Sequence, residues 1–463
     1  MPDDTRQHQQ EAHYRFMTQT PIPHLVTRLA VPTIVSMLVS SIYNMADTFF
    51  VSQISTAAAG AVGVVFSLMA MIQAIGFTLG MGAGNLVARH LGAREEARAT
   101  QAAASAFWAS IALGALLGGA GLAFCEELMR FLGATETILP YAVAYGDYIL
   151  YAAPVMCASF VMNNILRGEG KAALAMVGIA TGGILNIGLD PLFIFTFGFG
   201  TAGAAMATAL SQLISFLLML GMFLAGKSNV RLSLSAIART PRVYGQIVRI
   251  GLPSFCRQGL ASYATMQLNV AAAVYGDAAV AAMSIVARVF NFMFSVLLGL
   301  GQGFQPVCGF NYGAACFGRV RSAMLFTSAL GCVSMLAVGA ASFAFAPQVM
   351  ALFRAEDALV ISIGALAFRA QCCAMPLFAV STVTNMALQC TGQSLAATLL
   401  ALCRQGLCFL PLVWFLPGLV GLAGVQLAQP LADLLTFFVS LPFCIRFIAH
   451  LRRREAEAAP API

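Results

Sequence analysis

The sequence predicts an all-α integral membrane protein, with twelve transmembrane helices in two pseudo-symmetric six-helix bundles. Three observations predict it. Of 463 residues, 60% are apolar and 9% charged, whereas about a quarter of the residues of a soluble domain are charged. Apolar windows of roughly 20 residues, the length that crosses a bilayer, recur along nearly the whole chain. The second half also repeats the first.

Taken in order, residues 1–24 form a polar cytoplasmic tail with Asp3, Asp4, Arg6, Glu11 and Arg15. The tail has no apolar core and does not read as a cleaved signal peptide; the first span would itself direct the chain to the membrane. Spans are expected near 25–52, 57–86, 101–124, 138–165, 172–195 and 201–226, which make an N-lobe over 25–230. A polar cytoplasmic linker, 231–244, follows. Spans near 245–274, 279–308, 321–345, 360–388, 394–415 and 420–446 make a C-lobe over 245–447, and 448–463 form a cytoplasmic tail.

Basic residues orient these spans. Of 25 Lys and Arg, 19 fall in the tails and alternate loops, among them Arg94, Arg98, Lys171, Lys227, Arg319 and the run Arg452, Arg453 and Arg454. The opposite loops hold only Arg130 and Arg354. The positive-inside rule places both termini in the cytoplasm, as for a multi-pass protein of a bacterial inner membrane. The basic run then orients the chain and needs no nucleic-acid partner. The twelve Cys show no CxxC pair or zinc spacing, and the five His lie in the tails or in the loop with His90. No intramembrane His is expected to bind metal or relay protons.

Sliding the sequence on itself by 221 positions superposes Arg28 and Pro32 on Arg249 and Pro253, Leu79, Gly80 and Gly82 on Leu300, Gly301 and Gly303, and Arg98 on Arg319. At 222, Pro154, Asn163 and Gly170 meet Pro376, Asn385 and Gly392; at 221 again, Gly200, Ala202 and Gly203 meet Gly421, Ala423 and Gly424. Each half has an even number of spans, so the halves are expected to share one orientation. Duplicated bundles of this kind are a transporter architecture. One chain holds both halves, so it is expected to function as a monomer.

Two carboxylates lie inside apolar spans, Asp47 in "YNMADTFF" and Asp190 in "LNIGLDPLF". Each is 19 residues past a basic anchor, Arg28 or Lys171, and a rise of about 1.5 Å per residue puts both roughly 28 Å above the anchors. Asn186 is one turn before Asp190 on the same helix face. Thr208 on span six and Tyr145 on span four reach about the same depth. Five oxygen-bearing side chains can therefore meet at one level. Pro191 removes a helical hydrogen bond and displaces the carbonyl of Ile187. Such oxygens suit a hard cation, and two acids sharing a dry site suit proton carriage, so Na⁺, H⁺ or each in turn fits. Asn, Thr and Tyr also serve as plain glue between helices, whereas an intramembrane acid points to function. The second half has Leu268 where Asp47 would be, and Leu410 opposite Asp190. Coupling is therefore expected in the N-lobe alone. Arg257 and Arg288 are expected to pair with backbone carbonyls or with Asp433, and Arg369 to sit at the interface.

The first span "LAVPTIVSMLVSSIYNMADTFFVSQ", the glycine-rich "TLGMGAGNLVARHLGA" and the span-four end "NNILRGEGK" resemble the multidrug and toxic compound extrusion (MATE) family, in particular its bacterial DinF-like and MepA-like branch, over about Pro23 to Phe447. The resemblance implies a cation- or proton-coupling set of Asp47, Asn186, Asp190 and Thr208, which would also be the Na⁺ ligands of a sodium-coupled member, with Tyr145 as a further member. It implies a secondary active antiporter that exports organic cations or other amphipathic drugs and metabolites in exchange for H⁺ or Na⁺ by alternating access. No cofactor is expected beyond that ion. A lipid-linked precursor flippase of the same superfamily is the alternative. No GxSxG, HExxH or P-loop pattern occurs, so an enzyme is not expected.

Overall fold

A computed structural model of the chain describes residues 2–353 and 357–458. Arg354 and residues 459–463, the end of the expected C-terminal tail, lie outside them. The described chain is almost entirely helical. The N-terminal tail is a helix, α1 (Pro2–Gln19), followed by α2 (Ile22–Ser52), α3 (Thr56–Gly92), α4 (Glu96–Ala123), the short α5 (Cys125–Phe131), α6 (Leu139–Gly168), α7 (Ala172–Pro191) and α8 (Gly200–Leu224). The second half contributes α9 (Pro241–Ala273), α10 (Asp277–Gly313), α11 (Phe317–Ala344), the short α12 (Ala346–Ala351), α13 (Ala358–Cys390), α14 (Ser394–Leu402), α15 (Phe409–Val420) and α16 (Leu422–Ala458).

Eleven stretches among the described residues are long and apolar enough to cross a membrane, with α14 and α15 counted as one span. The seventh expected span is the helix α9, which is less apolar because it carries Arg242, Arg249, Arg257, Gln246, Gln258 and Gln267. Several helices overrun the expected ends. His90 is in the last turn of α3 rather than in a loop, and His450 is inside α16.

The chain forms two compact units. Unit 1 comprises 1–14 and 35–251; unit 2 comprises 15–34 and 252–463. Each therefore includes the opening of the other half's first helix. In unit 1 that opening approaches α3 at glycines: a Cβ on Gly82 would overlap the backbone of Ile247, and one on Gly251 the backbone of Thr78. In unit 2 a Cβ on Gly299 would meet Ile34, and one on Gly303 would meet Ala30. Small residues permit such close approach where lipid supplies no hydrophobic drive.

Each unit is organised around its fourth span. In unit 1, α6 packs on α3, α4, α7 and α8, and in unit 2, α13 packs on α10, α11, α14 and α16. The repeat extends to single interactions. Asn163 Nδ2 donates to Ala175 O at 2.9 Å, and Asn385 Nδ2 donates to Ala397 O at 2.6 Å. The turn ending the second long helix of each half uses a left-handed residue at the matched positions Arg94 (φ 59°) and Ala315 (φ 56°).

Candidate cation site

The site in unit 1 is positioned by α7. A stripe of small residues lets this helix approach its neighbours closely. Ser215 Oγ of α8 donates to Gly178 O at 2.7 Å, and Gly182 faces Ser215. A Cβ on Gly183 would stand 2.9 Å from Val39 of α2 and 3.3 Å from the Tyr43 ring. Asn186 and Asp190 follow, one and two turns along the helix. At Pro191 the α-helix gives way to a π turn, Leu192–Thr196. Loss of the proline N–H accounts for the change of winding at that point.

All five expected residues lie in unit 1 and form one cluster. Tyr145 Oη of α6 donates to Asp47 of α2, at 3.3 Å to Oδ2 and 3.5 Å to Oδ1. Asn186 Nδ2 lies 3.2 Å from Asp190 Oδ1 and 3.2 Å from Thr208 Oγ1 of α8. Tyr145 also interacts with Thr208, which joins the two sets. Asp190, Asn186, Thr208 and Tyr145 are buried, and Asp47 is partly exposed. Asp190 Oδ2 and Asn186 Oδ1 are buried and accept no hydrogen bond among the described residues. Two open oxygens beside a second acid form a set that a hard cation would complete, or that one proton on the carboxyls would relieve.

Two other clusters were not resolved from the sequence. Beside α1, Glu169 is fully buried and accepts from Ser228 Oγ at 2.5 Å and from the backbone N–H groups of Asn229 at 2.9 Å and Val230 at 3.3 Å, with Lys171 Nζ at 3.4 Å. Burial pushes the Glu169 carboxyl above its usual range. His13 of α1 is held there by a hydrogen bond with the Glu169 backbone; burial and the Lys171 charge lower its pKa to about 4. The only sequence signal was a lone acid between basic residues in "RGEGK". In unit 2, Asp433 is taken by Arg404 at 2.8 Å rather than by Arg257 or Arg288. Arg369 Nε donates to Phe343 O at 3.3 Å.

A model of the MatE family matches residues 32–192 and 253–415, more than half of the chain. The chain is 25% identical over 415 residues to the multidrug export protein MepA of Staphylococcus aureus (strain MRSA252), covering 89% of this chain and 90% of that one. A crystal structure of MATE in complex with MaL6 superposes with a TM-score of 0.90 at 28% identity, over 95% of this chain and 99% of that one. The outward-facing conformation of a multidrug resistance MATE family transporter of the MOP superfamily superposes with a TM-score of 0.88 at 29% identity, over 94% and 98% of the two chains.

Proposed function

The chain belongs to the MatE family, and we propose on that footing that it is a secondary active antiporter exporting organic cations or other amphipathic compounds in exchange for H⁺ or Na⁺. The observation that carries the reading is Asp190, fully buried with one oxygen bonded by Asn186 and the other without a donor among the described residues, in one cluster with Thr208, Tyr145 and Asp47. The resemblance to a multidrug export protein supports the substrate class. Both termini face the cytoplasm in this reading, consistent with the distribution of basic residues.

The proposed mechanism is local to unit 1. Loading the cluster with a proton or Na⁺ neutralises the acids and favours one winding of α7 at Pro191; release favours the other. The ion shifts the equilibrium between inward-open and outward-open states only by its differential affinity for them. Asp47 and Asp190 carry the charge, Asn186 and Thr208 complete the ligand set, and Tyr145 orients Asp47.

Proteoliposomes with a preset pH or Na⁺ gradient test this, with ethidium as the transported dye. Wild type is expected to move dye on one of the two gradients, and Asp47→Asn and Asp190→Asn are expected to abolish the coupling. Undiminished gradient-driven export in both variants would sink the proposal.

A further inference from the structure

Unit 2 contains a polar cluster on the repeat counterparts of the same four spans. The unit 1 site draws on α2, α6, α7 and α8, which are spans one, four, five and six of the first half. In the second half the corresponding spans supply Arg257 from α9, Gln371 from α13, Arg404 from the π turn Cys403–Cys408 after α14, and Gln429 and Asp433 from α16. Where unit 1 gathers two acids, unit 2 gathers two arginines and one acid.

The charges do not cancel. Asp433 is fully buried and accepts from Arg404 Nε at 2.8 Å, Gln371 Nε2 at 2.7 Å and Gln429 Nε2 at 3.0 Å. Its one negative charge is thus committed to Arg404. Arg404 packs against aromatic faces, 4.0 Å from the Phe378 ring centroid and 5.3 Å from that of Phe294. Its Nη2 is buried and has no acceptor among the described residues. Arg257 lines the same cavity as Arg404, Phe294 and Phe378 and has no ion-pair partner among the described residues. One positive charge is left over. Arg257 is only partly buried, so water in the cavity can screen it, but two guanidiniums on one small cavity still repel until an anion joins them.

The space suits a small oxyanion. The cavity is about 40 Å³, room for about three waters and so for a carboxylate in their place. A second cavity of about 70 Å³ also borders Arg404; Met283, Val286 and Phe290 form one side of it, and Asn291, Gln371, Gln426 and Gln429 are among its polar lining. It offers an apolar, aromatic wall next to the charge.

We infer that Arg257 and Arg404 form an anion-binding site in unit 2 that takes the carboxylate, or another singly charged oxyanion, of an amphipathic molecule whose apolar body lies along Phe290, Phe294 and Phe378. Arg257 contributes its whole charge, and Arg404 its free Nη2. Asp433, Gln371 and Gln429 are positioning residues that hold the Arg404 fork. A soluble organic anion and the head group of an anionic lipid share this chemistry.

The site is tested by binding without any gradient, so its failure and the failure of the export reading are separable. Isothermal titration of the purified protein in a neutral maltoside detergent would compare 2-naphthoate with its uncharged amide, 2-naphthamide. The acid is expected to bind about tenfold or more tightly than the amide, as a charge-assisted pair predicts. Arg257→Gln should bring the affinity for the acid down toward that for the amide. Arg404→Gln alone strands Asp433, so Arg404→Gln/Asp433→Asn is the second variant; it should also erase the preference, with thermal unfolding as the check on folding. Equal affinity for acid and amide in wild type, no binding of the acid, or a preference that survives both variants would overturn the inference. A repeat in nanodiscs identifies the source of the anion. If phosphatidylglycerol in place of phosphatidylcholine weakens naphthoate binding in wild type only, a lipid head group occupies the site. If it does not, the site takes soluble anions.

Discussion

Lowering the pH should loosen α1 through a single ring. His13 has an ordinary pKa of 6.5 and is lowered to about 4 by burial and the Lys171 charge. The folded state therefore prefers the neutral ring. Its contribution is fully present above pH 6.5 and is lost as pH falls toward 4. The gap corresponds to about 3 kcal/mol, at about 1.4 kcal/mol per pH unit. Because the ring is only partly covered, solvent screening reduces this to about 2 kcal/mol. The ionisable groups facing it are Lys171 and Glu169. Burial raises the Glu169 carboxyl, so its protonation at low pH relieves a penalty and acts with the opposite sign. The quantity that isolates His13 is thus the difference between wild type and His13→Gln. Hydrogen exchange of the α1 amides, corrected for intrinsic rates, would give the opening free energy at pH 7.5 and pH 5. Wild type is expected to lose on the order of 1 kcal/mol of protection relative to His13→Gln, since pH 5 lies inside the window between 6.5 and about 4 rather than below it. Equal losses in the two proteins would refute the assignment of this pH dependence to His13.

Tyr145→Phe removes the hydroxyl at 3.3 Å from Asp47 and should lower gradient-driven dye export in vesicles by about threefold to tenfold, less than Asp47→Asn, as befits one net hydrogen bond. Asn163→Ala and Asn385→Ala remove the matched bonds to Ala175 O and Ala397 O, and thermal unfolding in detergent should show similar losses of about 1–3 kcal/mol each. Ala315→Gly relieves a left-handed residue at φ 56° and should raise the unfolding midpoint, with a gain of about 1 kcal/mol. Arg404→Gln should destabilise by about 3–5 kcal/mol, and adding Asp433→Asn should recover more than half of that, since the larger cost is the stranded charge.

Length and hydropathy made most of the fold legible, because a bilayer imposes helices of fixed minimum length on any chain that crosses it. The repeat was legible in Pro, Arg and Asn, and the structure gives physical reasons for some of these matches. Asn163 and Asn385 make the same bond, and Gly170 and Gly392 share a positive φ, 78° and 86°. The grouping of Asp47, Tyr145, Asn186, Asp190 and Thr208 was legible because helical rise converts sequence position into depth. The partner of Asp433 was not, because depth does not fix which face a side chain takes. The π turn at Cys403–Cys408 changes the face on which Arg404 emerges, and Gln371 and Gln429 gave no sequence signal. The Glu169 cluster was hidden for another reason: its donors come from the loop near Ser228, far along the chain, and nothing in loop composition announces such a fold-back.

The two halves share a backbone plan closely enough to repeat turns and single hydrogen bonds, yet differ in what they place at the level of the candidate cation cluster. A duplicated scaffold predicts duplicated packing, because packing follows helix position. It does not predict duplicated charge, since a polar side chain inside a span persists only where something balances it. In unit 1 the excess is negative, and in the proposed function a cation balances it. In unit 2, Asp433 balances one arginine and leaves the other, so the sign of the excess is reversed. A transporter whose halves were both acidic would have two sites competing for the same ion. If both proposed sites exist, their opposite excesses would keep them from competing for one ion, and a cation in unit 1 and an anion in unit 2 could be held at the same time. The binding of naphthoate should therefore be indifferent to saturating Na⁺ at constant ionic strength unless the two sites are energetically coupled, and by reciprocity any coupling must appear equally in the affinity for either ligand.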